Sequence, residues 1–131
     1  MLDLKTKTLG WVGTGRMGYA LATRLLDAGC NLAVYNRTRA KAEPLAELGA
    51  TIVDEPIELA DRDVVFTMVA GPEDFKSVVL GDNGLLGSSR SAPGIIVDSS
   101  TVSPEASAEV RAETEAHGVA LLAARSAAIP R

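Results

Sequence analysis

Three glycines at fixed spacing, Gly13, Gly15 and Gly18, stand where a short apolar strand at residues 8–12 hands over to a helix at residues 17–28. Each has a separate physical use. Gly13 permits the tight turn, Gly15 lets the backbone approach a pyrophosphate, and Gly18 lets the helix lie close on its strand. The N–H groups and positive dipole end of that helix would then face the phosphates. Glycine also serves ordinary tight turns, so the flanking pattern has to decide. Met17, Leu21, Ala22, Leu25 and Leu26 recur at helical spacing, and Gly29 ends the helix.

A second strand follows at residues 32–35, and its end is the place where a dinucleotide fold chooses its cofactor, roughly 20 residues beyond the glycines. Asp or Glu there accepts a hydrogen bond from a ribose hydroxyl, whereas Arg suits a 2′-phosphate. The chain reads Asn36-Arg37-Thr38, with no acid. NADP is therefore favoured, with NAD left open. Arg37, Arg39 and Lys41 could also be the solvated start of the next helix, a description that suits Arg39 and Lys41 better than Arg37.

At 131 residues and 47% hydrophobic composition, the chain has enough apolar material for one core and no room for a second domain. A net charge of −4 and a pI near 5.0 speak against nucleic acid or a membrane surface as partner. Cys30 is the single cysteine, so no internal disulfide forms and a reducing cytoplasm is the expected compartment. Beside a strand it reads as a small core side chain rather than a nucleophile. Residues 1–7 are charged and lack the long apolar stretch of a signal peptide or membrane span.

The remaining pattern alternates. A helix is expected at residues 40–48 up to Gly49, a strand at 51–53, a short helix at 55–60 with Pro56 in its first turn, and a buried strand at 64–69. Gly71-Pro72 breaks the pattern before a helix at 75–80, leaving Val69-Ala70-Gly71-Pro72 as an uncharged crossing segment. A loop at 81–93, a strand at 94–98, a helix at 104–117 and a last apolar run at 119–122 complete the chain. The fold class is α/β, a doubly wound (Rossmann) parallel sheet in a single domain, with ligands at the carboxyl ends of the strands. One such end reads Asp98-Ser99-Ser100-Thr101-Val102-Ser103-Pro104. Capping accounts for Ser103 before Pro104. Ser99, Ser100 and Thr101 are equally well read as local caps or as partners of a small polar ligand. His117, the sole histidine, reads as a favourable charge near a helix carboxyl end rather than a catalytic group.

Gly13-x-Gly15-x-Met17-Gly18, Asn36-Arg37-Thr38 and Asp98-x-Ser100-Thr101-x-x-Pro104 together resemble the amino-terminal domain of the β-hydroxyacid dehydrogenases, the group containing 3-hydroxyisobutyrate dehydrogenase and tartronate semialdehyde reductase. The resemblance covers about residues 8–124, leaving 1–7 as an extension and 125–131 as a tail. It implies that Gly13, Thr14, Gly15, Arg16, Met17 and Gly18 form the pyrophosphate turn. Arg37 and Thr38 would meet the 2′-phosphate with Asn36 beside them in the cofactor site, Val69 and Ala70 would line the path to the nicotinamide, Thr101 would approach the nicotinamide, and Ser100 would touch substrate. Family members often have Leu-Pro where this chain has Val69-Ala70, which leaves a backbone role intact. The implied chemistry is hydride transfer between nicotinamide and a small 3-hydroxy acid or its semialdehyde. Imine reductases share the glycine turn and the Asn-Arg-Thr segment and are the alternative, as is a non-catalytic NADP-binding module.

The resemblance also implies a substrate turn of Ser-Gly-Gly type and a catalytic lysine on a downstream all-helical domain, and neither is recognisable in this sequence. Lys5, Lys7, Lys41 and Lys76 are the only lysines, and none stands in the family's catalytic motif. The expectation is a cofactor domain that lacks the helical domain, is inactive alone, and tends to self-associate through exposed apolar surface. Family members continue the last strand as Ala-Pro-Val-Ser-Gly-Asn-Pro-Ala-Val, whereas this chain ends Ala124-Arg125-Ser126-Ala127-Ala128-Ile129-Pro130-Arg131. Codons can be chosen for the family ending such that deleting one base yields this ending followed by a stop. A frameshift is thus the expected origin of the tail. Sequencing the locus should find a family-like reading frame beyond the stop codon, and its absence would remove the idea.

Overall fold

The computed structural model describes residues 6–13, 16–69, 71–99 and 104–123. Within them lie β1 (Thr8–Val12), α1 (Arg16–Asp27), β2 (Asn31–Tyr35), α2 (Arg39–Ala46), β3 (Thr51–Ile52), a 3-10 turn (Pro56–Leu59), β4 (Val64–Thr67), α3 (Pro72–Leu80), β5 (Ile95–Asp98), α4 (Pro104–Ala116) and β6 (Ala120–Ala123). All the strand pairings are parallel, in the order β3-β2-β1-β4-β5-β6. This is the doubly wound Rossmann arrangement expected from the alternating pattern, with the order reversing at β1 and β4.

Strand side chains alternate between two apolar layers, as a period of two requires. Leu9, Trp11, Leu32, Val34 and Val64 face α1 and α2, joining Ala22, Leu26, Ala42 and Leu45. Val12, Ala33, Val65 and Ile96 face the other way, joining Phe75, Val78, Val79 and Val110 of α3 and α4. Cys30 belongs to the first layer as a buried free thiol, consistent with a packing role. The tight register of the central strands brings their carboxyl ends level: Val12 stands opposite both Tyr35 and Thr67, and Thr67 opposite Asp98.

Several expected boundaries shift, each for a local reason. In α1, Leu21 is exposed, because Ala22, Leu25 and Leu26 fill the stripe facing the sheet and position 21 falls at its margin. The helix expected from residue 75 begins at Pro72, with Gly71 as its N-cap: proline's fixed φ suits a first helical position, so Gly71-Pro72 starts an element instead of only breaking one. Strand β4 ends at Thr67, although the Met68 N–H still donates to Val12 O at 2.8 Å. His117 places Nδ1 2.8 Å from the Glu113 carbonyl oxygen, just past the end of α4.

The amino edge of the sheet is fastened by Asp63. The Thr8 N–H and hydroxyl donate to Asp63 Oδ2 at 2.9 and 3.2 Å, and the Asp63 N–H returns a bond to Thr8 Oγ1 at 3.0 Å. The Thr8 backbone bond is the largest influence on this carboxyl and holds it below the usual carboxylate range, opposed by desolvation and aided by the Thr8 hydroxyl and Lys7. A lowered folded-state value adds stability above the unfolded value, lost as pH falls through the folded one. Acid unfolding followed by circular dichroism should accordingly show less loss of stability for Asp63→Asn than for the parent chain between about pH 5 and pH 2.

Candidate functional site

The carboxyl ends of β1, β2, β4 and β5 form one edge, and its geometry is organised by Gly13. This residue has φ +99°, and a Cβ built on it would lie 2.0 Å from the Met68 carbonyl oxygen. No side chain fits there. The Gly13 N–H donates to Tyr35 O at 3.0 Å, while the Trp11 indole N–H donates to Gly13 O at 2.7 Å. Trp11 is itself stacked on Phe66, ring centroids 5.3 Å apart. Gly13 thus joins the ends of β1, β2 and β4 in a single knot. Gly18, in the first turn of α1, closes the arrangement, since a Cβ there would stand 2.5 Å from Gly13 O.

The amino end of the 12-residue α1 consequently opens beside the point where the strand order reverses. Arg16 and Met17 occupy its first turn, and their side chains lie outside the described residues, as do Thr14 and Gly15. Free N–H groups and a positive dipole end at this position suit a diphosphate.

Beyond β2, Asn36 is half-buried and its amide donates to Thr38 O at 2.8 Å, bending the chain before α2. Thr38 is the N-cap of α2, yet its hydroxyl makes no capping bond. Arg37 projects from this bend and meets Asp74 in the first turn of α3 at 2.6 Å. Arg39, already within α2, pairs with Glu43 at 3.6 Å and also with Asp54. Arg39 thus lies on the surface of α2, while Arg37 precedes that helix and reaches towards the element that follows β4.

On the β4 side, Val69 is half-buried against the α3 and α4 layer, and Ala70 lies outside the described residues. At the end of β5, Asp98 is buried and accepts a 2.7 Å bond from the Thr67 hydroxyl, and the Ser99 N–H donates to Thr67 O at 2.8 Å. Ser100, Thr101 and Ser103 lie outside the described residues. Sequence reasoning missed Trp11, Thr67 and Asp74 at this edge. Trp11 carried a local signal, standing two residues before the first glycine of the turn, but Thr67 and Asp74 meet their partners only through folding. A cavity of about 390 Å³ lies beside β2 and α3, lined by residues including Tyr35, Asp54, Glu55, Val78 and Asp82. Its three carboxylates disfavour phosphate there.

In sequence, the family described as the NAD binding domain of 6-phosphogluconate dehydrogenase matches residues 8–125. The chain belongs to this family. The "Probable 3-hydroxyisobutyrate dehydrogenase-like 3, mitochondrial" of Arabidopsis thaliana is 38% identical over 114 residues, covering 86% of this chain and 36% of that protein. The imine reductase of Myxococcus stipitatus in complex with NADP+ superposes with a TM-score of 0.76 at 30% identity, covering 90% of this chain and 40% of its own. The Mycobacterium tuberculosis 3-hydroxyisobutyrate dehydrogenase, described with L-serine, gives 0.78 at 28% identity, covering 91% and 40%. The resemblance to 3-hydroxyisobutyrate dehydrogenases is thereby borne out for the NAD-binding domain, and the chain spans well under half of these relatives' length.

Two glycines with similar backbones separate strain from contact in this NAD-binding domain. Gly49 has φ +107° with nothing within 4 Å of a built Cβ, whereas Gly13 combines φ +99° with the Met68 clash. Urea unfolding should give Gly49→Ala a loss of about 1–2 kcal/mol, the ordinary left-handed cost. Gly13→Ala should lose more than about 3 kcal/mol, because the main chain of β4 must move as well. Equal losses would mean that Gly13 matters for conformation alone.

Proposed function

We propose that the edge organised by Gly13 binds NADP(H), and that the chain is the cofactor-binding unit, residues 8–124, of an oxidoreductase similar to the 3-hydroxyacid dehydrogenases. The observation that carries this is the Gly13 knot, which sets the α1 amino end at the reversal of strand order in a domain whose family binds NAD. Gly13, Thr14, Gly15, Arg16, Met17 and Gly18 receive the pyrophosphate. Arg37 and Thr38 receive a 2′-phosphate with Asn36 shaping their bend, Val69 and Ala70 border the path to the nicotinamide, Thr101 stands at its reactive end, and Ser100 contacts substrate.

The nicotinamide, when bound, supplies or accepts the hydride of a small 3-hydroxy acid and its semialdehyde. This chain's part is to orient that ring and to exclude water around it. A proton must also be moved on the substrate oxygen, and no described lysine is placed for it: Lys7 precedes β1 at the opposite edge, Lys41 is exposed on α2, and Lys76 is paired with Glu109. The chain by itself is therefore expected to bind cofactor without turnover. A reducing compartment suits the buried Cys30, whether cytoplasmic or within an organelle as in the mitochondrial relative. Imine reduction is the second reading, favoured by the 30% identity to the NADP+-bound imine reductase.

Calorimetric titration of the chain with NADPH and NADH should show saturable binding that prefers NADPH. Loss of a charge-assisted phosphate contact in Arg37→Ala should weaken NADPH about ten- to a hundredfold and leave NADH within about threefold. Absence of binding to either dinucleotide would overturn the proposal.

A further inference from the structure

The phosphate assigned to Arg37 has a competitor already in place. Arg37 Nη2 lies 2.6 Å from Oδ1 of Asp74, 37 residues along the chain. The two come from elements on either side of β1: Arg37 follows β2, and Asp74 stands in the first turn of α3, which follows β4. The Arg37 side chain is 76% exposed and that of Asp74 35%, so the pair lies at the open mouth of the crevice with the carboxylate the better sheltered of the two. Arg39 offers no substitute cation, since Asp54 and Glu43 hold it on the α2 side.

Dinucleotide folds that take the unphosphorylated cofactor commonly present a carboxylate at the end of the second strand to accept from the ribose hydroxyl. Residues 36–38 contain no acid. Folding nevertheless delivers one to the same guanidinium. A carboxylate accepts a hydrogen bond from a hydroxyl but repels a phosphate, and a 2′-phosphate on Arg37 would have to share or displace Asp74. The geometry points to Asp74 as a residue that sets cofactor choice: it pairs with Arg37 and offers the acceptor for a ribose 2′-hydroxyl. The preference for a phosphorylated dinucleotide that Arg37 alone would impose is thereby reduced. This rests on the proposed cofactor site and adds to it a second, opposing determinant.

The test uses fragments of the adenosine end, adenosine 2′,5′-bisphosphate and 5′-AMP, with NADPH and NADH alongside, on the parent chain and on Asp74→Asn and Asp74→Ala. Exposed ion pairs are weakly coupled, so the ratio of the bisphosphate Kd to the AMP Kd should fall about three- to fivefold in both variants. The bisphosphate should tighten and AMP should hold or weaken, with the melting temperature lowered by no more than a few degrees through loss of a first-turn carboxylate. A ratio that stays put, or two ligands that shift together, would overturn the assignment of Asp74 while leaving Arg37-dependent NADPH binding intact. A parent chain that binds none of the four ligands would instead remove the cofactor site, and Asp74's role with it.

Discussion

Everything at the carboxyl edge depends on how closely one backbone atom approaches another. The Cα of Gly13 sits so near the Met68 carbonyl that a methyl group would stand 2.0 Å from the oxygen. That approach lets β1 turn sharply enough for α1 to start beside the strand ends, and it is reinforced by Tyr35 O of β2 and by the indole of Trp11 within β1 itself. The tryptophan does two jobs here. Its ring fills the layer beneath α1 and α2 and its N–H reaches the turn, so packing of the core and shape of the edge are one structural problem.

The central sheet was legible in the sequence because its signals are local. Residues 8–12 match β1 fully, β2 and β5 differ from the expected runs by a residue at one end and β6 is shifted by one residue, since short β-branched and apolar runs bounded by glycine leave little choice. Boundaries slipped where one residue type has two uses. Proline at 72 ends a strand pattern and opens a helix equally well, and only the observed turn shows which use prevails.

The site was legible in the same uneven way. The glycine turn and the Arg37 bend are contiguous motifs, and a motif advertises itself by spacing. The partners of those motifs are remote: Thr67 meets Asp98 across 31 positions and Arg37 meets Asp74 across 37. Nothing in residues 72–76 announces that the third of them will face a cation at the end of β2. Absence of an acid beside Arg37 in the sequence therefore did not mean absence of an acid beside Arg37 in space, and inference of cofactor choice from the strand end alone carries that blind spot.

Electrostatics sharpens the point. The chain carries a net charge of −4, and a dinucleotide is an anion, so the summed field does not draw the ligand in. Charges further apart than about 8–10 Å are screened at physiological salt in any case. Attraction has to be made locally, by the amino end of α1 and by individual cations at the edge. Those cations are paired with carboxylates, Arg37 with Asp74 and Arg39 with Asp54. A phosphate arriving at Arg37 exchanges one anion for another at the same guanidinium, so its gain is the difference between two ion pairs and not the worth of one. Discrimination at such an edge is set less by whether a cation is present than by how firmly its resident carboxylate is held, and here that carboxylate is anchored on the first turn of a helix packed into the core through Phe75 and Val79.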